Sequence, residues 1–257
     1  MTVARKATAS LPMYDWPEVA GATDAFWSAL RGALSANGVE APDRLDRTSP
    51  SDAVWRDPGL VLSQTCGWPL VTRYCDALHV VARPVYAVEG CGAGTYRSAI
   101  VARRTVPLAE LVRGTVAVNG FDSLSGYRTL AAHLAGNGIG RDGVGDFLET
   151  GSHRASVQAV AQGRAAVAAI DCVSWRLALD HEPAARELTV IGWAEELPAL
   201  PFVTSKANAS RADAILTALE AAAQQAPQPH LAGVLPASLA DCDTVVALGE
   251  RVAAAGF

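Results

Sequence analysis

Several features that would point to particular classes of protein are missing from this sequence of 257 residues. No cluster of Lys and Arg occurs in the chain, whose net charge is −5 and whose pI is about 5.5. Nucleic acid is therefore not an expected partner, because binding to a phosphate backbone requires a basic patch. No run of residues is long and apolar enough for a transmembrane span, so insertion into a membrane is not expected.

The cysteines also lack a pattern. No CxxC pair occurs among the five, so neither a zinc site nor any other metal or cofactor is predicted. The sequence neither predicts nor excludes a disulfide between Cys66 and Cys91. The interpretation that we favour is that the cysteines are small buried side chains in a reducing compartment.

The N-terminus contains two basic residues, Arg5 and Lys6, but no apolar run follows them. Pro12 and Asp15 interrupt the next apolar stretch. The sequence as written therefore predicts no secretory signal, which leaves a cytoplasmic location open.

Half of the residues are apolar, so the chain can bury a large hydrophobic core. Its length of 257 residues suits one large domain or two small lobes. Short strands alternate with amphipathic helices, and this predicts an α/β architecture with mainly parallel pairing. The predicted strands cover residues 7–13, 60–62, 96–102, 114–118, 165–170 and 188–192. A strand pair or one long bent strand is predicted at 78–88 and a short strand at the end of 198–203, and a polar connector covers 44–58.

Two polar turns dominate the middle of the chain. Ser123-Leu124-Ser125-Gly126 follows a strand and opens a helix, and Thr150-Gly151-Ser152-His153 opens a second helix. A helix start presents backbone N–H groups without intrahelical partners and a partial positive charge. Hydroxyls and a glycine at that point let a small anion approach closely, so the turns predict an anion site. The alternative is that the serines only cap their own helices.

Other motifs do not fit a function in their context. Residues 138–143 match GxGxxG, but they follow a helix rather than a strand, so the dinucleotide-binding interpretation is rejected. Ser152, His153 and Asp171 do not fit a catalytic triad, because no GxSxG elbow is present and adjacent residues do not share a helical face.

The two turns, with Thr95-Tyr96-Arg97-Ser98 and residues 64–69, resemble the phosphonate-binding branch of the substrate-binding proteins of ABC transporters. The resemblance implies a two-lobed type II periplasmic-binding fold with a ligand cleft between lobes joined by two crossing strands. Lobe 1 would comprise residues 1–88 plus 195–257. Lobe 2, residues 89–194, would carry the anion-binding helix starts.

The resemblance also implies a ligand site. The oxyanion would lie on the helix start formed by Ser123, Ser125 and Gly126, in contact with His153. The remaining members of the implied site are Ser152, Tyr96, Trp68, Asp171 and Tyr14. A protonated His153 would add a charge-assisted hydrogen bond, and Asp171 would orient that ring or accept from the ligand.

The sequence departs from the family pattern at two places. Leu124 replaces the usual middle hydroxyl of the first turn, and the return segment 197–203 contains no Asp or Glu. The second departure disfavours 2-aminoethylphosphonate and leaves another small oxyanion or a different polar ligand.

Three functions follow in order of preference. The first is a periplasmic solute-binding protein, not an enzyme, that captures a phosphonate- or phosphate-like anion and delivers it to an ABC-transporter membrane permease. The second is a cytoplasmic enzyme of the same fold acting on a thiamine-like precursor, with His153, Asp171 and Cys66 as reactive groups. The third is a cytoplasmic sensor that reports ligand occupancy to a partner.

Overall fold

The structure, a computed structural model, describes residues 6–226 and 228–257. The segment considered above for a secretory signal begins with residues 1–5, which lie outside the described residues. The chain divides into two compact units, and neither is a continuous stretch. Unit 1 takes the residues up to Ala87, then Ala93–Thr95 and Pro198–Cys242, whereas unit 2 takes Val88–Gly92, Tyr96–Leu197 and Asp243–Phe257.

Strands and helices alternate along the chain, as predicted for an α/β protein. The strands are β1 (Thr8–Ser10), β2 (Leu60–Gln64), β3 (Leu78–Tyr86), β4 (Cys91–Gly92), β5 (Thr95–Tyr96), β6 (Ser98–Ala102), β7 (Val116–Val118), β8 (Phe147–Glu149), β9 (Val167–Asp171), β10 (Thr189–Trp193), β11 (Leu197–Pro198), β12 (Phe202–Ser205) and β13 (Leu231–Pro236). The α-helices are α1 (Ala20–Ala36), α2 (Ser51–Arg56), α3 (Gly67–Pro69), α4 (Leu108–Leu111), α5 (Thr129–Gly136), α6 (His153–Ala161), α7 (Cys172–His181), α8 (Ala212–Gln225) and α9 (Asp243–Ala254). Wide π-type turns cover Leu70–Tyr74 and Leu124–Arg128, and 3₁₀ turns cover Pro17–Val19, Arg141–Gly143, Pro183–Glu187, Lys206–Arg211 and Leu239–Cys242.

Unit 1 contains a sheet with the strand order β1-β2-β12-β3-β13. Its β2 is buried along its whole length, and α1 and α8 pack against each other beside the sheet. Helix α1 forms because Phe26, Leu30 and Leu34 fall on one face and are fully buried. The helix ends at Asn37, and Gly38 follows with a φ of +71°, as the Asn-Gly pair predicts.

Unit 2 contains a sheet with the strand order β10-β6-β9-β7-β8. Its β6, β7 and β9 are completely buried, which agrees with their continuous apolar sequences. Strands β7, β8 and β9 run parallel, so their carboxyl ends meet at one edge of the sheet. This edge positions both polar turns that the sequence analysis singled out.

The prediction of mainly parallel pairing is wrong. In the two five-stranded sheets only β1–β2, β7–β8 and β7–β9 pair in parallel. Strand β12 lies antiparallel between β2 and β3, and β6 lies antiparallel between β10 and β9. A pattern of alternating strands and helices does not reveal strands that return from another part of the chain, and β12 and β10 are such strands.

Two local predictions also need correction, and one alternative is decided. The connector 44–58 contains helix α2, which is anchored by the buried Trp55. Of the two alternatives for residues 78–88, the single strand is the one observed, as β3, despite Pro84. Helix α9 belongs to unit 2, where it packs against α5, although the sequence analysis placed residues 195–257 in lobe 1.

Candidate functional site

The first polar turn lies at the carboxyl end of β7. Ser123 has extended backbone angles and caps the helix, since its Oγ accepts a hydrogen bond of 3.0 Å from the N–H of Gly126. The wide turn Leu124–Arg128 then leads into α5. Turns of this type are frequent at functional sites. Ser125 is buried, with 4% of its surface exposed.

Gly126 is required at this turn because of Asn119. A Cβ on Gly126 would lie 1.8 Å from the Asn119 Oδ1, so a side chain there has no space. The same Oδ1 is buried and has no hydrogen-bond partner among the described residues. Buried polar atoms are nearly always paired, and one without a partner calls for an explanation. Asn119 was not among the predicted site residues, although an Asn directly after a buried strand was the available signal.

The second polar turn lies at the carboxyl end of β8. Ser152 caps α6 by accepting a hydrogen bond of 3.1 Å from the N–H of Ala155, and its side chain is exposed. The Thr150 hydroxyl ties this turn to the neighbouring strand by donating to the Val118 carbonyl at 3.0 Å. Because Val118 ends β7, the two polar turns are held side by side.

The two turns meet in a contact between Ser125 and His153. The Ser125 Oγ and the His153 Nε2 are 2.9 Å apart, which is hydrogen-bond distance. The other ring nitrogen, Nδ1, is buried and has no partner among the residues that the structure covers. Burial lowers the pKa of His153 to about 4, so the ring is neutral at pH 7. The charge-assisted hydrogen bond that a protonated His153 would add is therefore not available at pH 7.

The neutral ring carries one proton, which lies on either nitrogen. Nε2 accepts from Ser125 in one tautomer and donates to it in the other. In both cases Nδ1 is a buried hydrogen-bonding atom without a partner among the residues that the structure describes. Of the atoms of this pair, Nδ1 is thus the candidate for a contact with a ligand.

Asp171 does not orient His153. Its Oδ1 accepts from the N–H groups of Val173 at 2.8 Å and Ser174 at 3.0 Å, and so caps α7. The Nδ1 of His153, which a triad would use for such a contact, has no partner in the described part of the chain. Within residues 6–226 and 228–257, Ser125 and His153 thus form a pair without the third group that a hydrolytic triad uses to orient its histidine.

The aromatic members of the predicted site lie in different units. Tyr96 is in unit 2, at the end of β5, and only 1% of its surface is exposed. Tyr14 and Trp68 are half-buried residues of unit 1. Tyr14 packs edge-to-face on Tyr86, with 5.3 Å between the ring centroids. The structure therefore brings Ser123, Ser125, Gly126, Ser152 and His153 together in unit 2, and a role for Tyr14, Trp68, Tyr96 and Asp171 stays a prediction.

No group of three or more His, Cys, Asp or Glu side chains is arranged to hold a metal ion within the described ranges. A search of these same ranges for a helix that is long and apolar enough to cross a membrane found none.

A family model decides the relationship of the chain to known proteins. The model for the periplasmic phosphonate substrate-binding proteins of ABC transporters matches residues 66–236, which is more than half of the sequence. The chain belongs to this phosphonate-binding family. A search of curated proteins found no match.

Solved structures similar to this phosphonate-binding family member share its fold at low sequence identity. PhnD1 from Prochlorococcus marinus, solved with methylphosphonate, is 15% identical, with a TM-score of 0.72 over 96% of this chain and 98% of that one. A binding-protein component of an ABC phosphonate transporter from Pseudomonas aeruginosa is 15% identical, with a TM-score of 0.71 over 96% and 86%. A Xanthomonas citri protein solved with ATP is 15% identical, with a TM-score of 0.67 over 97% and 98%. The predicted two-lobed periplasmic-binding fold is confirmed.

Proposed function

We propose that this protein captures a small phosphonate- or phosphate-like oxyanion as the binding component of an ABC-type uptake system. The observation that carries the proposal is the contact of 2.9 Å between Ser125 and His153, beside a His153 Nδ1 that is buried and has no partner among the described residues. Both groups lie at helix starts, where the backbone favours negative charge.

The proposed contacts follow from this geometry. The hydroxyls of Ser123 and Ser152 and the backbone N–H of Ser125 donate to the oxyanion. His153 donates through the tautomer that carries its proton on Nδ1, and in that tautomer the Ser125 hydroxyl donates to Nε2 and so orients the ring. Gly126 keeps the backbone of the first turn accessible. Tyr96, Trp68 and Tyr14 are the remaining residues that we propose as ligand contacts, and Asp171 is the proposed acceptor for a donor that the ligand carries.

Charge neutralisation by a nearby cation has little part in this proposal. Arg154 follows His153 directly, but its guanidinium is paired with Glu182 at 2.9 Å. His153 itself is neutral at pH 7, because burial lowers its pKa to about 4. Hydroxyl dipoles and helix starts would therefore hold the anion, and such contacts favour a compact oxyanion over a large one.

The proposed partner and the proposed location follow from the membership of the chain in this family. A member of this family works with a membrane permease, so a permease is the proposed partner and the periplasm the proposed location. A binding protein returns its ligand unchanged, which distinguishes it from an enzyme of the same fold. The absence of a group that orients His153 through Nδ1 supports binding over Ser–His hydrolysis.

Isothermal titration calorimetry with methylphosphonate, phosphate, phosphite and sulfate tests the proposal. We expect at least one phosphorus oxyanion to bind and to be recovered intact. Ser125→Ala and His153→Ala should each weaken binding about 10- to 100-fold, the usual consequence of losing a hydrogen bond to a charged group. His133→Ala and Ser174→Ala are matched controls in unit 2 and should bind normally. Normal binding by both site variants would contradict the site assignment, and no binding of any oxyanion would contradict the function.

A further inference from the structure

Two cysteine sulfurs that the proposed ligand site does not use lie in contact within unit 2. The Sγ atoms of Cys91 and Cys172 are 3.2 Å apart, although the residues are 81 positions apart in the sequence. Both are thiols in this structure. A disulfide requires about 2.05 Å between the sulfurs, so the two sulfur atoms have to approach each other by about 1 Å to form the bond.

Backbone contacts fix both cysteines in this arrangement. The N–H of Cys91 donates to the Val88 carbonyl at 3.2 Å, and the N–H of Cys172 donates to the Arg97 carbonyl at 3.1 Å. Gly90 adds a third constraint, because it lies so close that a Cβ there would be 2.5 Å from the Trp193 ring and 3.0 Å from the Cys172 Cβ. The proximity of the two sulfurs therefore follows from the packing of the segment 88–92 on the start of α7.

The two thiols differ in their access to solvent. Cys172 is buried, with 1% of its surface exposed, whereas Cys91 is half-buried. A surface pocket of about 280 Å³ opens beside Cys91 and is lined by Gly90, Gly92, Arg97 and Trp193, together with Glu89 and Glu196. A small disulfide-containing molecule can therefore reach Cys91 but not Cys172.

We propose that Cys91 and Cys172 form an intramolecular disulfide, with a small disulfide such as glutathione disulfide as the oxidant. The Cys91 thiolate attacks one sulfur of the oxidant, forms a mixed disulfide and releases one glutathione thiolate. The Cys172 thiol then gives its proton to the released glutathione thiolate, and the Cys172 thiolate attacks the Cys91 sulfur. The second glutathione leaves as a thiolate and takes up from solvent the proton that Cys91 had lost. In total two thiols and one glutathione disulfide give one protein disulfide and two glutathione thiols.

The electrostatics of the pair agree with this order of events. The hydrogen bond to Cys91 and burial both raise the pKa of the Cys172 thiol, so Cys172 keeps its proton and Cys91 is the attacking group. The family to which the chain belongs is periplasmic, and the periplasm is a compartment in which disulfides form and persist.

Quantitative thiol titration of the denatured full chain tests the proposal. Protein incubated with a dithiol reductant should show five thiols, and protein incubated with glutathione disulfide should show three. Mass spectrometry of a proteolytic digest should identify one cross-linked pair that contains Cys91 and Cys172. The oxidised protein should also melt about 5–10 °C higher, because the bond closes a long loop.

Two cysteine variants distinguish the possible results of this thiol titration. Cys91→Ser, which changes the half-buried member of the pair, should keep all four remaining thiols after oxidation. Cys75→Ser is the matched control and should lose two thiols like the wild type. A cross-link between Cys66 and Cys91, or five thiols after oxidation with glutathione disulfide, would overturn the proposal. Because methylphosphonate binding is measured separately, these outcomes are independent of the proposed function.

Discussion

Ser125 and His153 lie 28 residues apart in the sequence and share a hydrogen bond of 2.9 Å. Each residue belongs to a turn with its own capping serine, Ser123 in the first and Ser152 in the second. The two caps explain why each turn forms, but they do not account for the contact between the turns. That contact depends on the parallel pairing of β7 with β8, which places both helix starts at one edge of the sheet.

The low pKa of His153 predicts a pH dependence of stability. Burial lowers that pKa to about 4, whereas an unfolded histidine titrates near 6.5. Between these values the unfolded chain binds more protons than the folded one, so the free energy of unfolding falls as the pH is lowered from about 6.5 to 4. The melting temperature of the wild type should therefore drop more steeply than that of His153→Gln over this range.

His133→Gln serves as a comparison. Burial also lowers the pKa of His133, so this substitution should flatten the profile in the same direction. If the profile of His153→Gln ran parallel to that of the wild type from pH 7 to pH 4.5, the assignment of a buried neutral imidazole would be wrong.

A side chain at position 126 should be destabilising because of Asn119. In Gly126→Ala the new Cβ would be 1.8 Å from the Asn119 Oδ1, and one of the two groups must move. We expect a loss of about 1–3 kcal/mol, the usual cost of overpacking, in urea unfolding. Shortening the neighbour in the double variant Gly126→Ala/Asn119→Ala should recover part of this loss.

Gly136→Ala is the matched control, since no atom lies within 4 Å of a Cβ placed there in helix α5. That substitution should be neutral or stabilising by up to about 1 kcal/mol. Equal stabilities of the Gly126→Ala and Gly136→Ala proteins would contradict the close approach of Asn119.

Asp171 should behave as a helix cap. Removing the carboxylate in Asp171→Ala leaves the N–H groups of Val173 and Ser174 without their acceptor, at a cost of about 1–2 kcal/mol. Asp171→Asn keeps a capping oxygen and should lose much less. Thermal unfolding of both variants tests this expectation, and methylphosphonate titration of the stable Asn variant tests the separate proposal that Asp171 contacts the ligand.

The ion pair between Arg154 and Glu182 should stabilise the start of α6. Burial alone would raise the pKa of Glu182, but hydrogen bonds from Arg154 and Gln158 lower it overall. Arg154→Met leaves this carboxylate buried without its cation and should cost about 1–2 kcal/mol, less than for a fully buried pair because Arg154 is 30% exposed. Adding Glu182→Gln should restore part of the stability.

The pH profile gives a second measure of this pair. Because the pKa of Glu182 is depressed in the folded protein, its contribution is present above the unfolded value of about 4.3 and is lost as the pH falls through the folded value. Wild type and Arg154→Met should therefore approach each other in stability at acidic pH. A constant difference between them down to pH 3 would argue against the ion pair.

The fold was predictable where the pattern of residues was local. Helix α1 follows from the apolar spacing of Phe26, Leu30 and Leu34, and β9 from its apolar run before Asp171. Strands β8 and β13 were missed, because Phe147–Glu149 is short and Leu231–Pro236 has only one buried residue. Strand formation at these positions depends on a neighbouring strand, and neighbours that are distant in the sequence are not visible in it.

The candidate site was predictable in part for the same reason. The two helix starts contain Ser123, Ser125 and His153, and their hydroxyl-bearing residues allowed both turns to be predicted from the sequence. The neutral state of His153 and the unpartnered Asn119 Oδ1 depend on burial by other elements. The contact between Cys91 and Cys172 was not predictable either, because it forms only through the packing of segment 88–92 on α7.

The interleaved division of the chain has a consequence for synthesis on the ribosome. Unit 1 needs β12, α8 and β13, which come after the central part of unit 2, and unit 2 needs α9, which comes after all of unit 1. Neither hydrophobic core is therefore complete until most of the chain has emerged. The sheet of unit 1 meanwhile exposes the strand edges that β12 and β13 have not yet covered, so the interval before these two strands emerge is when the nascent protein is most prone to aggregate.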